Sequence, residues 1–360
     1  MLLKPEPPIN APLLDLYSDY LISSFSYTTA TGLSNLLDQQ ISHDRITRFL
    51  SARDYTSKDL WVLVKPTIRV IETDDGQLIL DDTIEEKPYT DENEIIAWHY
   101  DHSKGRNVKG INILSALYRN EQGIIPLAYD LVKKDVEYID EETGLKRRKS
   151  TKNKNEYFRN IVSVSLKNQV KFRHVMADIW FSSKENMKFI TENKKHFVFA
   201  IKKNRLVSLA LPSTKKRTYQ SIETLKFQEN EAISCFFKGL DVPVLVVRQV
   251  FTNQDGSTGI LYVATSDTKL SGTEIIDLYQ KRWSIEEYHR SIKSHTGLEL
   301  SPAKTVRTQG NHCFASLYSY FKLGMLSRSR QLNHTALKTK LYLKALQASF
   351  QELHRLQVGA

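Results

Sequence analysis

Between residues 76 and 201 the apolar runs come in an order that constrains the fold more than any other feature of the chain. QLILDDT, EIIAWHYD and IIPLAYDLVKK read as three strands, the last two separated by the turn-rich SKGRNVKG. NEYFRNIVSVSLKNQV then has helical periodicity, and FRHVMADIWF returns to strand texture. In SSKE, Ser182 and Glu185 form a capping box that opens another helix, and HFVFAIKK supplies a fifth strand. Three strands, helix, strand, helix, strand requires an α/β fold with a mixed sheet.

That order is the order of an RNase H-like core, and the flanking segments fill in the rest. Residues 213–267 break the alternation with ISCFFKG and the hairpin VPVLVVRQVFTNQDGSTGILYVATS, turning at Asp255-Gly256, and read as a β-rich insertion. The first seventy residues are helical. In TTATGLSNLLDQQISHDRITRFLS, Thr31 and Ser42 are N-cap candidates for two short helices joined by a three-residue break. The pattern fits a helix-turn-helix at about 30–51, with His43, Arg45, Thr47 and Arg48 outward, chemistry suited to phosphates and base edges. An ordinary helical hairpin explains it equally well. HCFASLYSYFKLGMLS reads as a buried helix and NHTALKTKLYLKALQASFQELHRL as an amphipathic tail. The expected organisation is a helical region over 1–73, a core over 74–212 and 268–325 interrupted by the 213–267 insertion, and a tail over 326–360.

Charge narrows the partner. Fifty-one Lys and Arg against 41 Asp and Glu leave a formal +10, and the cations cluster in KRRKSTKNK (146–154), KK (194–195), KKNR (202–205) and KKR (215–217). Such a balance favours a polyanion, with nucleic acid ahead of membrane because no basic helix has an apolar face to lie on lipid. No apolar run approaches the ~18–20 residues that span a bilayer, and MLLKPEPPINAP does not read as a signal peptide. The two cysteines, Cys235 and Cys313, form no CxxC. They read as buried thiols of a reducing cytoplasm and argue against a thiolate zinc site.

The helix YQKRWSIEEYHRSIK, residues 279–293, raises a sharper question. Tyr279, Arg282, Glu286, Arg290 and Lys293 fall within an arc of roughly 80°, while Leu278, Ile285, Tyr288 and Ile292 gather on another. A solvated face with i,i+4 pairs would account for the charges. Their content, one carboxylate among three cations with a Tyr at the head, also suits a helix lining a cleft. Asp81 stands at the end of the first strand and Asp178 at the end of the fourth, neighbours in an RNase H-like sheet beside which this helix packs. Three convergent carboxylates, Asp81, Asp178 and Glu286, make an all-oxygen site of the kind chosen by Mg²⁺ or Mn²⁺. Two such ions can activate a water or 3′-hydroxyl for phosphodiester displacement. Asp82 competes with Asp81, and since adjacent strand residues point to opposite faces only one should face the cleft.

Tyr279, Arg282, Glu286 and Lys293 match the Y-(2)-R-(3)-E-(6)-K signature, and the chain resembles the bacterial DDE transposases of the insertion sequence four family. LDDT around Asp81 and MADIWFSS around Asp178 are similar to that family's other acidic motifs, and the likeness covers roughly residues 30–325. The family motif, apolar-Asp-variable-Thr/Ser, places Asp82 in the variable slot. The resemblance implies cut-and-paste transposition: binding of terminal inverted repeats, cleavage with two Mg²⁺ or Mn²⁺ ions at Asp81, Asp178 and Glu286, and joining of 3′ ends to target DNA, with a hairpin intermediate in some members. It implies phosphate contacts from Tyr279, Arg282, Lys293 and Arg290, a homodimer in the synaptic complex, and a nucleoid-associated location in a bacterial cytoplasm. Arg45 and Arg48 are the expected DNA contacts of the amino-terminal helices. Trp180 and Trp283 could stack on bases, but a core role is the stronger expectation for each. The rivals are an RNase H-like nuclease without strand transfer and a DNA-binding remnant acting as a repressor.

Overall fold

The computed structural model describes residues 8–209, 218–228, 230–253 and 255–358, so the KKR cluster at 215–217 lies outside the described residues. Four helices lead: α1 (Ala11–Ser23), α2 (Ala30–Leu36), α3 (His43–Ser51) and α4 (Ser57–Ile71). Each begins where a side-chain oxygen accepts an otherwise unpaired N–H, from Asn10, Thr29, Ser42 and Thr56. Ser42 is the expected cap. Thr29 replaces Thr31, because its hydroxyl takes the Gly32 N–H at 2.8 Å. Asp38 and Gln39, at φ 48° and 59°, turn the chain between α2 and α3.

The strands β1 (Gln77–Glu86), β2 (Ile96–Asp101), β3 (Arg106–Asn120) and β4 (Gly123–Leu131) come next, then a small separate ribbon of β5 (Val136–Ile139) and β6 (Lys146–Lys149). The long β3 is the element that the sequence pattern hides. Its residues 110–118 are all buried, so the run shows neither alternation nor helical periodicity. The turn ends at Gly105, and residues 106–110, expected in it, already belong to β3. After α5 (Lys154–Lys167) come β7 (His174–Ala177), α6 (Lys184–Glu192) and β8 (His196–Ile201). The cap of α6 is Ser183, accepting from Asn186 at 3.1 Å. Ser182 instead donates to the Ile179 carbonyl at 2.7 Å and closes a 3-10 turn, so the expected capping box does not form.

Then follow β9 (Leu206–Ser208), β10 (Gln220–Ser221), β11 (Ala232–Phe237), β12 (Val244–Thr252) and β13 (Thr258–Thr265). The main sheet has eleven strands among the described residues, ordered β10-β9-β11-β12-β13-β8-β7-β1-β3-β2, with β4 also on β3. β7 is parallel to both β1 and β8, and the other pairs are antiparallel. Through β13 on β8, the β-rich segment continues the sheet that holds β1.

The chain closes with α7 (Gly272–Gln280), α8 (Ser284–His295), α9 (Val306–Arg330) and α10 (His334–Val358). The helix expected over 279–293 is interrupted by a 3-10 turn at Lys281–Trp283. Ser284 Oγ takes the Lys281 carbonyl at 2.7 Å and itself accepts from Arg119 Nε at 3.0 Å, a side-chain bond that tightens the backbone there. α8 packs on β1 and α9. Ile285, Tyr288 and Ile292 are fully buried, and the Tyr288 hydroxyl donates to Ser115 Oγ on β3 at 3.3 Å. These are the side chains of the apolar arc, and they fix the rotation of α8. α1, α3 and α4 pack on α9 or β4, making mixed α/β architecture with helices at both ends. Cys235 and Cys313 are buried free thiols, and no described helix is long and apolar enough to cross a membrane.

Candidate active site

β7 stops at Ala177, beside Leu80, while β1 runs on to Glu86 paired with β3. Beyond Leu80 one flank of β1 is open, and a cleft of about 600 Å³ occupies the gap. Asp81 therefore sits within β1, not at its end as expected, at the point where the parallel neighbour is lost. This is also why both aspartates line the cleft, against the expectation that only one would. They differ in their partners. Asp82 Oδ2 accepts from Asn112 Nδ2 at 2.6 Å and from Lys154 Nζ at 2.7 Å. Asp81 Oδ2 meets Arg282 Nη1 at 3.3 Å, and the same guanidinium nitrogen is 3.2 Å from Glu286 Oε1.

α8 delivers Glu286 because its buried arc faces β1 and turns the adjacent arc into the cleft. One ring nitrogen of His289 joins oxygens of Asp81 and Glu286 in a group lying within 4.8 Å of one another. Asp178, directly after β7, lines the same cleft without joining that group. Its Oδ1 accepts the Ile179 N–H at 2.6 Å and caps the following 3-10 turn.

Electrostatics mark the centre. Burial, then the neighbouring Asp82 and Glu286 carboxylates, push Asp81 up to about 8 against the pull of Arg282. A carboxyl that resists ionisation beside other acids is short of positive charge, and oxygen donors around it suit a hard divalent cation. Burial, aided by the cations Lys293 and Arg282, holds His289 down to about 3 despite Asp82, so its imidazole is neutral. Its Nε2 is buried with no hydrogen-bond partner. The residues present fit a divalent ion.

The remaining side chains of the charged arc divide. Arg290 and Lys293 line the cleft, and Lys293 Nζ donates to the Ile84 carbonyl at 2.7 Å. Tyr279 does not reach into it. It is buried beneath Arg282, whose guanidinium carbon is 5.6 Å from the ring centroid, and burial pushes its hydroxyl up to about 12. Trp180 and Trp283, expected in the core, are 50% and 57% exposed. Trp180 lies in the 3-10 turn after β7, stacked on His102 at 3.9 Å with Lys202 Nζ 5.2 Å from its ring. Arg45 and Arg48 are exposed on α3 and do not line the cleft. His289 is the residue that sequence reasoning missed. The available signal was Glu-x-x-His spacing, which sets carboxylate and imidazole one turn apart on one helix face.

Residues 72–321 match the protein family described as "Transposase DDE domain". No curated protein matches the chain. Among solved structures it is similar to one titled "Crystal structure of the NurA nuclease from Sulfolobus solfataricus", at 11% identity, covering 73% of this chain and 93% of that one. The TM-score is 0.24, too low to support an argument about fold or function.

Proposed function

The chain belongs to the transposase DDE domain family, and from that premise we propose that it is a cut-and-paste DNA transposase similar to the insertion sequence four family. On this reading the sheet and α8 form an RNase H-like core, with Asp81, Asp178 and Glu286 as its catalytic acids. One observation carries the proposal. Arg282 meets Asp81 across 201 positions of sequence in the same cleft where it meets Glu286, and Asp178 rims that cleft. Mg²⁺ or Mn²⁺ held by these acids would neutralise the scissile phosphate and activate a water or 3′-hydroxyl.

The chain's own side chains bind and orient DNA around that centre. Arg290 and Lys293 stand on the cleft wall, where cations hold phosphates in register for attack. Arg282 is anchored between two acids and braced by Tyr279, so it acts from a fixed position. α2 and α3, as a helix-turn-helix, present Arg45 and Arg48 to the terminal inverted repeats of the element. The units proposed are 1–73 for DNA binding, 74–212 with 268–325 for catalysis, 213–267 for the β-rich insertion and 326–360 for the tail. Two protomers bring two ends together, and a hairpin on the ends is one route to excision.

The test is an assay of the full chain with Mg²⁺, DNA carrying the element's ends and a target plasmid. Joined product supports the proposal. Cleavage without joining points to a nuclease, and binding alone to a remnant that represses.

A further inference from the structure

Glu286 and His289 sit one turn apart on α8, and Asp81 faces them from β1. His289 is 8% exposed, and its Nε2 has neither solvent nor a hydrogen-bond partner. A core histidine normally satisfies its ring nitrogens through neighbours. This one instead directs a ring nitrogen at two carboxylates, all within 4.8 Å of one another. Arg282, the nearest cation to those carboxylates, is engaged by both. Neither ring nitrogen has a hydrogen bond to these acids. In the tautomer whose lone pair faces them, that nitrogen gains nothing from them alone and gains much from a shared cation.

We propose that His289 is a ligand, with Asp81 and Glu286, of one cation of this centre, and that its nitrogen makes that position prefer Mn²⁺ to Mg²⁺. The inference rests on the cleft being a metal centre and adds a donor type that three acids would not supply. Carboxylate and water oxygens suit Mg²⁺ and Mn²⁺ alike, whereas an imidazole nitrogen is a poor donor for Mg²⁺ and an acceptable one for a first-row transition ion such as Mn²⁺. Asp178, outside the trio, is left to a second ion with oxygen donors. The stacked His102 and Trp180 lie elsewhere on the cleft wall and take no part.

The experiment uses the full-length, metal-free protein without DNA. Calorimetric titrations with MnCl₂ and MgCl₂ compare wild type, His289→Gln, His289→Ala and Asp81→Asn. Pulsed electron paramagnetic resonance of the Mn²⁺-loaded protein reads ¹⁴N coupling directly and needs no variant to fold. The expected result is ¹⁴N coupling in wild type that is lost in His289→Gln, with Mn²⁺ affinity falling about tenfold or more while Mg²⁺ affinity changes far less. Mn²⁺ binding that depends on Asp81 but shows no ¹⁴N coupling, or coupling that survives in His289→Gln, overturns the ligand assignment and leaves the metal centre standing. Absence of any Asp81-dependent binding of either ion overturns both.

Discussion

The acids of the cleft and those of the β5–β6 ribbon are the same chemical group in opposite surroundings. In the ribbon Glu137 is met by Lys146 at 2.5 Å and by Arg148, and Asp140 by Arg147 at 3.3 Å. Lys146 first, then Arg148, holds Glu137 below the usual carboxylate range, and the Thr143 hydroxyl does the same for Asp140 ahead of Arg147. In the cleft Asp81 is driven the other way, up to about 8, by burial and by acids that outnumber the cation between them. KRRK is among the densest basic runs in the chain, yet three of its four cations are answered inside the ribbon. Density of charge along a chain thus describes a surface, and charge left unanswered in space marks where chemistry can happen.

The strongest way to break this contrast is to remove acids from each region. Asp81→Ala, Asp178→Ala and Glu286→Ala should each reduce nicking of end-containing DNA to background while end binding stays within about tenfold. Glu137→Ala should nick like wild type. Equal losses in both regions, in a gel assay with Mg²⁺, would end the distinction.

Within α8, Ile285→Ala and Ile292→Ala should each lower unfolding free energy by ~2–5 kcal/mol in denaturant titrations. Arg290→Ala, on the exposed wall, should leave stability within about 1 kcal/mol and act on cleavage. If the isoleucines and the arginine behave alike, the two arcs are not distinct.

For DNA binding, the double variant of Arg45→Ala and Arg48→Ala should weaken affinity for element ends by ~1–3 kcal/mol at each base-reading residue. The ribbon double variant, Arg147→Ala with Arg148→Ala, should cost less than about 1 kcal/mol, because those charges are already paired. Fluorescence anisotropy at two salt concentrations checks both.

The two regions should also differ in the pH dependence of stability. Asp81 has a folded pKa raised above its unfolded value near ~4. Its neutral form is therefore accommodated fully below pH ~4, and that advantage is lost as pH rises toward about 8. In chelator, Asp81→Asn should melt higher than wild type, with a larger gap at pH 8 than at pH 5, and Mn²⁺ should close the gap by stabilising wild type alone. Glu137→Gln should melt level with or slightly below wild type at pH 8, never above it. Its lowered pKa has the opposite sign, so any contribution is lost only as pH falls through the acid range.

What was legible in the sequence was whatever repeats with a local period. The apolar arc of α8, the strand in QLILDDT and the cap at Ser42 all follow from spacing. β3 escaped because burial on both faces erases alternation. The break before α8 escaped because it depends on Ser284 meeting Arg119, a contact between distant segments. The site was half legible. Motif named Asp81, Asp178 and Glu286, and all three line the cleft, but that Asp81 stands inside β1 with Asp82 also on the rim follows from β7 ending four pairs into β1. His289 stood in plain view one turn after Glu286, yet nothing in the string says that its nitrogen would lack a partner. The exposure of Trp180 and Trp283 was likewise invisible, since composition alone sends tryptophan inward.

The overhang of β1 has one more consequence. A strand that outruns its neighbour leaves a length of open sheet edge, and open edges recruit strands from other molecules into aggregates. Here the stub is guarded: Lys293 sits on the Ile84 carbonyl, and Lys104 and Lys154 line the same gap. An invading strand would have to bury those ammonium groups. The cations of the cleft should therefore also oppose edge-to-edge pairing, and variants that strip several of them at once should turn turbid at concentrations where wild type stays clear, which light scattering checks before activity is read.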